Sequence, residues 1–251
     1  MEDCRSCPHH WTAASHWSPE SAAGRGSATP IAGRLGGLGA AVFRHHYAPH
    51  DREQPWGADP ARPEGLELDL AAPEAPERLM AAAVAAHGHV DILVCNHALS
   101  GSDGGLGELD AAMLDAHWAV NTRSSILLAQ AFAAQHDGRP GGRIVFFTSG
   151  QDLGPMPGEI AYAASKGALA SITRSLADAL ADRAITVNTV NPGPVDTGYA
   201  PPEVHEAVRR RFPRGRWGTP EEAAKLVGFL ATDDADWITG QTISSEGGFR
   251  R

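Results

Sequence analysis

From about residue 40 onward the chain repeats one pattern, a short apolar run followed by a longer alanine-rich stretch. The runs are AAVFR (40–44), GLELDL (65–70), VDILVC (90–95), RIVFFT (143–148), ITVNTV (185–190) and QTIS (241–244). Helical periodicity fills 73–87, 109–135, 160–182 and 219–231. Strands this short and this apolar must be buried on both faces, which predicts a parallel sheet covered by helices on each side. The segment 51–65, DREQPWGADPARPEG, carries Pro, Gly and charge, and reads as a loop replacing a helix between the second and third strands. No internal repeat interrupts the pattern, and 251 residues suit a single large α/β domain.

The first thirty residues break the pattern. They contain no Val, Ile, Leu or Phe, although a doubly wound sheet needs an apolar central strand just before its first helix. HHWTAASHW can be forced into that strand only with histidines and serines in the core, so the first strand is doubtful. Residues 1–25 are therefore expected to be an atypical, disordered lead-in to a domain spanning 26–251. Cys4 and Cys7 with His9 and His10 have zinc-like spacing but no second folded arm, and no metal site is expected. With 21 basic residues against 30 acidic, the net charge of −9 excludes a general nucleic-acid footprint. No run approaches a membrane span and no apolar leader core begins the chain, so a cytoplasmic setting is expected. Three cysteines cannot build a disulfide framework, which agrees.

The chemistry gathers in the second half. YAASK puts Tyr162 and Lys166 four residues apart, on one face of the helix 160–182. An ammonium beside a phenol favours the phenolate, which lets such a tyrosine exchange a proton with an alcohol or alkoxide. Ser149 ends the strand RIVFFTS, at the carboxyl edge where open α/β sheets hold their sites. NPGPVDTG (191–198) follows the next strand with a Pro192-Gly193 turn suited to a flat ligand, and Asn121 sits in an otherwise apolar helix.

Together these motifs resemble the short-chain dehydrogenase/reductase family, nearest its 3-oxoacyl-carrier-protein reductase-like members, over roughly residues 26 to 249. The resemblance implies a Rossmann-type doubly wound parallel sheet and hydride transfer between a nicotinamide and a carbonyl or secondary alcohol. It assigns Tyr162 as acid/base, Lys166 as the residue that lowers its pKa and holds the nicotinamide ribose, and Ser149 as the carbonyl-orienting hydroxyl. Asn121 matches an asparagine that holds a relay water. Cofactor contacts are implied for Arg25, Gly26, Asp69, Leu70, Asn96, Pro192, Gly193 and Thr197, besides Tyr162 and Lys166. Lys166 argues against the halohydrin-lyase relatives, which use Ser-Tyr-Arg. A homotetramer or homodimer formed through helices 109–135 and 160–182 is also implied.

The departures are as informative. The family signature Thr-Gly-x-x-x-Gly-x-Gly aligns with residues 21–28, SAAGRGSA, and only Gly26 survives in register. Thr29 is placed as N-cap and Pro30 at the first helical position, where proline removes one N–H from the turn that should cradle phosphate. Asn-Asn-Ala-Gly becomes Cys95-Asn96-His97-Ala98, with Cys95 read as a small buried residue. Arg25 and Arg44, and the absence of an acidic residue ending the second strand, favour NADP(H) over NAD(H). The eroded turn supports an alternative, a non-catalytic member serving binding or assembly. The abrupt change of composition before residue 26 is also what a displaced reading frame produces. VRRRFPRGR (208–216) reads either as a solvated face or as a docking patch for an acidic acyl carrier, with Arg139 and Arg183 near carrier-touching positions. Asp196 reads either as a cap or as a ligand contact.

Overall fold

The computed structural model describes the backbone of 10–14 and residues 28–47, 65–101, 103–198 and 200–251. Arg25, Gly26, Cys4, Cys7, His9 and nearly all of the 51–65 loop lie outside the described residues. Seven parallel strands form one sheet: β1 (His10–Ala14), β2 (Ala41–His46), β3 (Leu66–Glu67), β4 (Ile92–Cys95), β5 (Gly142–Phe147), β6 (Ile185–Asn191) and β7 (Thr242–Ser244). Their order is β3-β2-β1-β4-β5-β6-β7. The winding reverses between β1 and β4, which opens the ligand crevice at the carboxyl ends of the central strands.

The doubt over the first strand is corrected. His10–Ala14, inside the expected lead-in, pairs with β2 from His10↔Ala41 to Ala14↔His45 and with β4 from Trp11↔Ile92 to Ala14↔Cys95. The ladder is made by main-chain groups, so it does not require aliphatic side chains. Trp11 and Thr12 are strand formers. β3 is shorter than expected, because Asp69 leaves the ladder to accept the Ala71 amide at 2.8 Å.

Helices α1 (Ala28–Gly37) and α7 (Pro220–Leu230) cover one face; α2 (Ala75–His87), α4 (Ser124–Gln135) and α5 (Ile160–Leu180) cover the other. Between β4 and α4 lie α3 (Ala111–His117) and one π-helical segment, Trp118–Arg123. A short helix, α6 (Pro202–Arg209), follows β6. The two-residue strand period sorts the core. Leu93, Cys95, Ile144 and Phe146 pack with Leu79, Leu128 and Phe132, while Ile92, Val94, Val145 and Phe147 pack with Ile31, Leu35 and Val227. α1 begins at Ala28, two residues before the expected first helical position, so Pro30 lies third. It still falls in the first turn, where amides have no intrahelical acceptor and proline costs little. α7 starts at a capping box in which Thr219 and Glu222 bond each other's backbone amides.

Phe146 is fully buried where β5 meets α5 and the helices beside it. Truncation by Phe146→Ala is expected to cost about 3–5 kcal/mol, read as a lowered urea midpoint with an unchanged slope.

Candidate active site

Three carboxyl-edge segments and one helix frame a cavity of about 500 Å³. Asn96, Ala98 and Ser100 follow β4; Thr148, Ser149 and Gly150 follow β5; Pro192, Gly193 and Thr197 follow β6. Tyr162 and Lys166 enter from α5, one turn apart, and Met156, Glu159, Arg211, Phe249 and Arg251 complete much of the wall.

Lys166 fixes this arrangement. Its side chain is buried, and its ammonium donates to the carbonyl oxygens of Phe147 at 3.0 Å and His97 at 3.3 Å. Thr148 Oγ donates back to the Lys166 carbonyl at 2.9 Å, so strand end and helix are bonded in both directions. The Lys166 Nζ lies 6.0 Å from the centre of the Tyr162 ring. Burial pushes the Lys166 pKa down to about 8, opposed in part by Cys95. The Cys95 thiol is itself pushed up to about 12 by burial, against the pull of Lys166 and a hydrogen bond with Ser125, and stays protonated at neutral pH. Three N–H groups on Lys166 and two carbonyl partners leave one donor for a ligand hydroxyl.

One residue that the sequence did not single out sets the start of α5. The Asp103 carboxylate accepts from the amides of Gly104 (2.8 Å), Ala161 (3.0 Å) and Tyr162 (2.6 Å), and its side chain is 3% exposed. Burial raises the Asp103 pKa, but these three amides and nearby His117 (3.9 Å) more than offset it, and the net direction is downward. A carboxylate at a helix N-terminus is favoured by the orphan amides and the helix dipole. Asp103 and Tyr162 are far apart in sequence, and no local signal connects them.

Asn121 lies in the π-helical segment and does not line the cavity. Its side chain accepts from the Leu99 amide at 2.6 Å and donates to the Leu99 carbonyl (3.0 Å) and Ser165 Oγ (2.9 Å). It therefore locks the β4 loop to α5 beside Lys166. Asp69 also lies outside this cavity, bonded to Ala71 and to the hydroxyl of Tyr47. The Leu70 side chain is in the core, which leaves its main chain for any ligand contact. Gly193 has φ +65°, and a Cβ there would lie 2.9 Å from Glu246, so this turn requires glycine. Asp196 ties its loop to α6 rather than capping a helix, with His205 Nε2 at 3.0 Å. Among the described residues no group of three or more His, Cys, Asp or Glu side chains could hold a metal ion.

A family described as enoyl-(acyl-carrier-protein) reductase matches residues 22–250. The chain belongs to the short-chain dehydrogenase/reductase family. It is 52% identical over 166 residues to the uncharacterized oxidoreductase YjdA of Bacillus subtilis, covering 65% of this chain and 66% of that one. The chain thus aligns with just under two thirds of that relative's length. Versicolorin reductase 1 of Aspergillus parasiticus is 33% identical over 248 residues, 90% of this chain and 93% of its own. A solved short-chain dehydrogenase/reductase from Serratia marcescens superposes with a TM-score of 0.81 at 33% identity, covering 97% and 98% of the two chains.

The lowered Lys166 pKa has a consequence for stability. Between about pH 8 and its ordinary 10.5 the unfolded chain holds a proton that the native lysine has lost. Native stability contributed by this group therefore rises with pH through that window. Lys166→Met should flatten the rise, measured as urea midpoints at several alkaline pH values against the parent protein.

Proposed function

We propose that the chain is an NADP(H)-dependent oxidoreductase that interconverts a ketone and a secondary alcohol, in the manner of a 3-oxoacyl reductase. One observation carries the reading: Ser149, Tyr162 and a buried Lys166 converge on one cavity at the switch of a parallel sheet. The bound nicotinamide supplies or accepts the hydride. Ser149 Oγ donates a hydrogen bond to the substrate oxygen and holds it at the mouth of β5. Tyr162 delivers the proton as that oxygen gains charge, and takes it back in the oxidation direction. Lys166 lowers the cost of the resulting phenolate and offers its third N–H to a ribose hydroxyl. Asn121 acts behind the cavity by holding Ser165 and the β4 loop in place.

Support for the phosphorylated cofactor comes from β2, which ends in Arg44, His45 and His46 with no carboxylate of its own. Residues Pro192, Gly193 and Thr197 fit the nicotinamide side, and Asn96 the ribose side, because all four line the cavity. A homotetramer or homodimer through α3, α4 and α5 agrees with the exposure of Leu114 (43%) on α3 and Trp118 (49%) on the π-helical segment between α3 and α4. A cytoplasmic enzyme acting on a small carbonyl compound, with neither membrane nor nucleic acid as partner, completes the reading.

A second reading is favoured by the eroded turn: the chain as written keeps the fold but binds cofactor poorly and serves binding or assembly. The genetic code shows how such a turn can arise. Ser15-His16-Trp17-Ser18 is encoded by (TCN or AGY)-CAY-TGG-(TCN or AGY), where N is any base and Y a pyrimidine. Read from the third base of the Ser15 codon, His-Trp becomes YTG, which is leucine whichever pyrimidine is used. The following triplet is GTC, valine, when Ser18 uses TCN. Continued through Gly26, that frame permits Thr-Gly-x-x-x-Gly-x-Gly, the apolar strand end and phosphate turn the family carries. Sequencing the coding DNA over residues 10–28 checks this; a stop codon, or a triplet other than Thr-Gly after Leu-Val, sinks it.

For the enzyme reading, Tyr162→Phe is expected to lower kcat for ketone reduction by roughly 100-fold or more, with NADPH affinity within about 3-fold of the parent. Fluorescence titration with NADPH reads the affinity and NADPH oxidation reads the rate. Protein that neither binds NADPH nor oxidises it with any simple ketone would overturn the proposal.

A further inference from the structure

The far wall of the catalytic cavity is built by an aromatic ring between two arginines. The guanidinium carbon of Arg251 lies 5.4 Å from the centre of the Phe249 ring, and that of Arg211 lies 5.6 Å from it. All three residues line the same cavity as Ser149 and Tyr162.

The two arginines are not equivalent. Arg251 donates through two nitrogens to the two carboxylate oxygens of Glu246, one of them at 2.9 Å. Glu246 is anchored in turn by Asn191 Nδ2 at 3.0 Å. The Arg251 side chain lies against Gly150 and Gly154, and a Cβ on either glycine would collide with it. Arg251 is therefore a fixed, charge-matched wall.

Arg211 has no such match. Three of its basic neighbours are taken: Arg209 and Arg210 pair with Glu206, and Arg216 pairs with Glu222. No carboxylate lies within 4 Å of Arg211 among the described residues, and its side chain is exposed. Its base is nevertheless rigid. The Arg211 carbonyl accepts from the Arg250 amide at 3.0 Å, and the adjacent Phe212 is buried and packs on Phe249 at 4.9 Å between ring centres. A cation held over an aromatic face keeps its N–H edge free for an oxyanion. Glu159, also in the lining, sits at the start of α5 and has interactions of its own.

We propose that the substrate carries an anionic group remote from its carbonyl, and that Arg211 receives it at the Phe249 end of the cavity. The inference rests on the reductase reading and names its substrate class. The anion is either a carboxylate on a small oxo acid or the phosphate of a pantetheine arm, and both present planar or forked oxygens to a guanidinium.

The test compares charged and uncharged partners in NADPH oxidation: levulinate against its methyl ester, and a 3-oxoacyl phosphopantetheine thioester against the same acyl group on N-acetylcysteamine. The parent protein should favour one charged member by roughly 10-fold or more in kcat/KM, carried mainly by KM, and added salt should erode that preference. Arg211→Gln should abolish the preference while leaving the uncharged member within about 3-fold, and Arg211→Lys should keep most of it. Preference for levulinate alone assigns a small oxo acid; preference for the phosphorylated thioester alone assigns the carrier arm. Equal turnover of charged and uncharged members overturns the proposal, as does an Arg211→Gln variant that loses both alike. Failure to turn over any of the four ketones overturns the reductase reading instead. In that case calorimetric titration with levulinate and with phosphopantetheine decides the anion site. Binding abolished by Arg211→Gln sustains it, and no binding ends it.

Discussion

The Lys166 ammonium, bonded to the carbonyl oxygens of Phe147 and His97, is the contact on which the rest of the site depends. A buried charge without partners is prohibitively costly, so the side chain must reach these carbonyls, and in doing so it brings α5 to the carboxyl ends of β4 and β5. Two hydroxyls repeat the attachment from the other direction: Thr148 to the Lys166 carbonyl and Thr122 to the Ser165 carbonyl at 2.8 Å. Asp103 holds the first turn through the Ala161 and Tyr162 amides. With both ends of that stretch fixed, Tyr162 has little freedom except at its ring. Preorganisation of this kind is what proton transfer requires of its donor.

Burial holds the lysine pKa down to about 8, which suits the proton transfer proposed for Tyr162. The burial that lowers it also places the ammonium in surroundings of lower effective dielectric, where its charge is less screened and acts more strongly on a neighbouring phenol. Cys95 supports this by remaining a neutral thiol beside the ammonium. An ionised group there would compete with the tyrosine for the lysine's field.

Much of this was legible in the residues. β4, β5 and β6 are buried along their whole length and carry apolar residues that mark the sheet in the sequence. Tyr162 and Lys166 follow from helical spacing, and Ser149 from its place at a strand end. β1 was not legible, because its pairing is made by main-chain groups while composition reports only side chains. Asp103 could not be read either: a carboxylate in a glycine-bearing loop acquires its role only when the fold brings it to α5. The Glu246–Arg251 pair and the Phe249 ring belong to a tail whose sequence, SEGGFRR, carries no periodicity to read. Asn121 was singled out as a polar residue in an apolar helix, and the structure gives that polarity a use in joining Leu99 to Ser165.

The crevice divides physically into two halves. The half proposed to hold the reacting atoms is made by β4, β5, β6 and α5, and its hydrogen bonds join those elements to one another. The resemblance assigns the phosphate half to the sequence before α1, where the signature glycines are largely replaced. Contacts to a pyrophosphate are equally strong in ground and transition states, so their loss weakens cofactor binding without slowing the chemical step. On the proposed reductase reading, defects in the turn raise the cofactor concentration needed for half-saturation, while Ser149, Tyr162 and Lys166 are the residues that would set the rate once the site is filled. An eroded phosphate turn and an intact catalytic set are compatible in one chain for that reason.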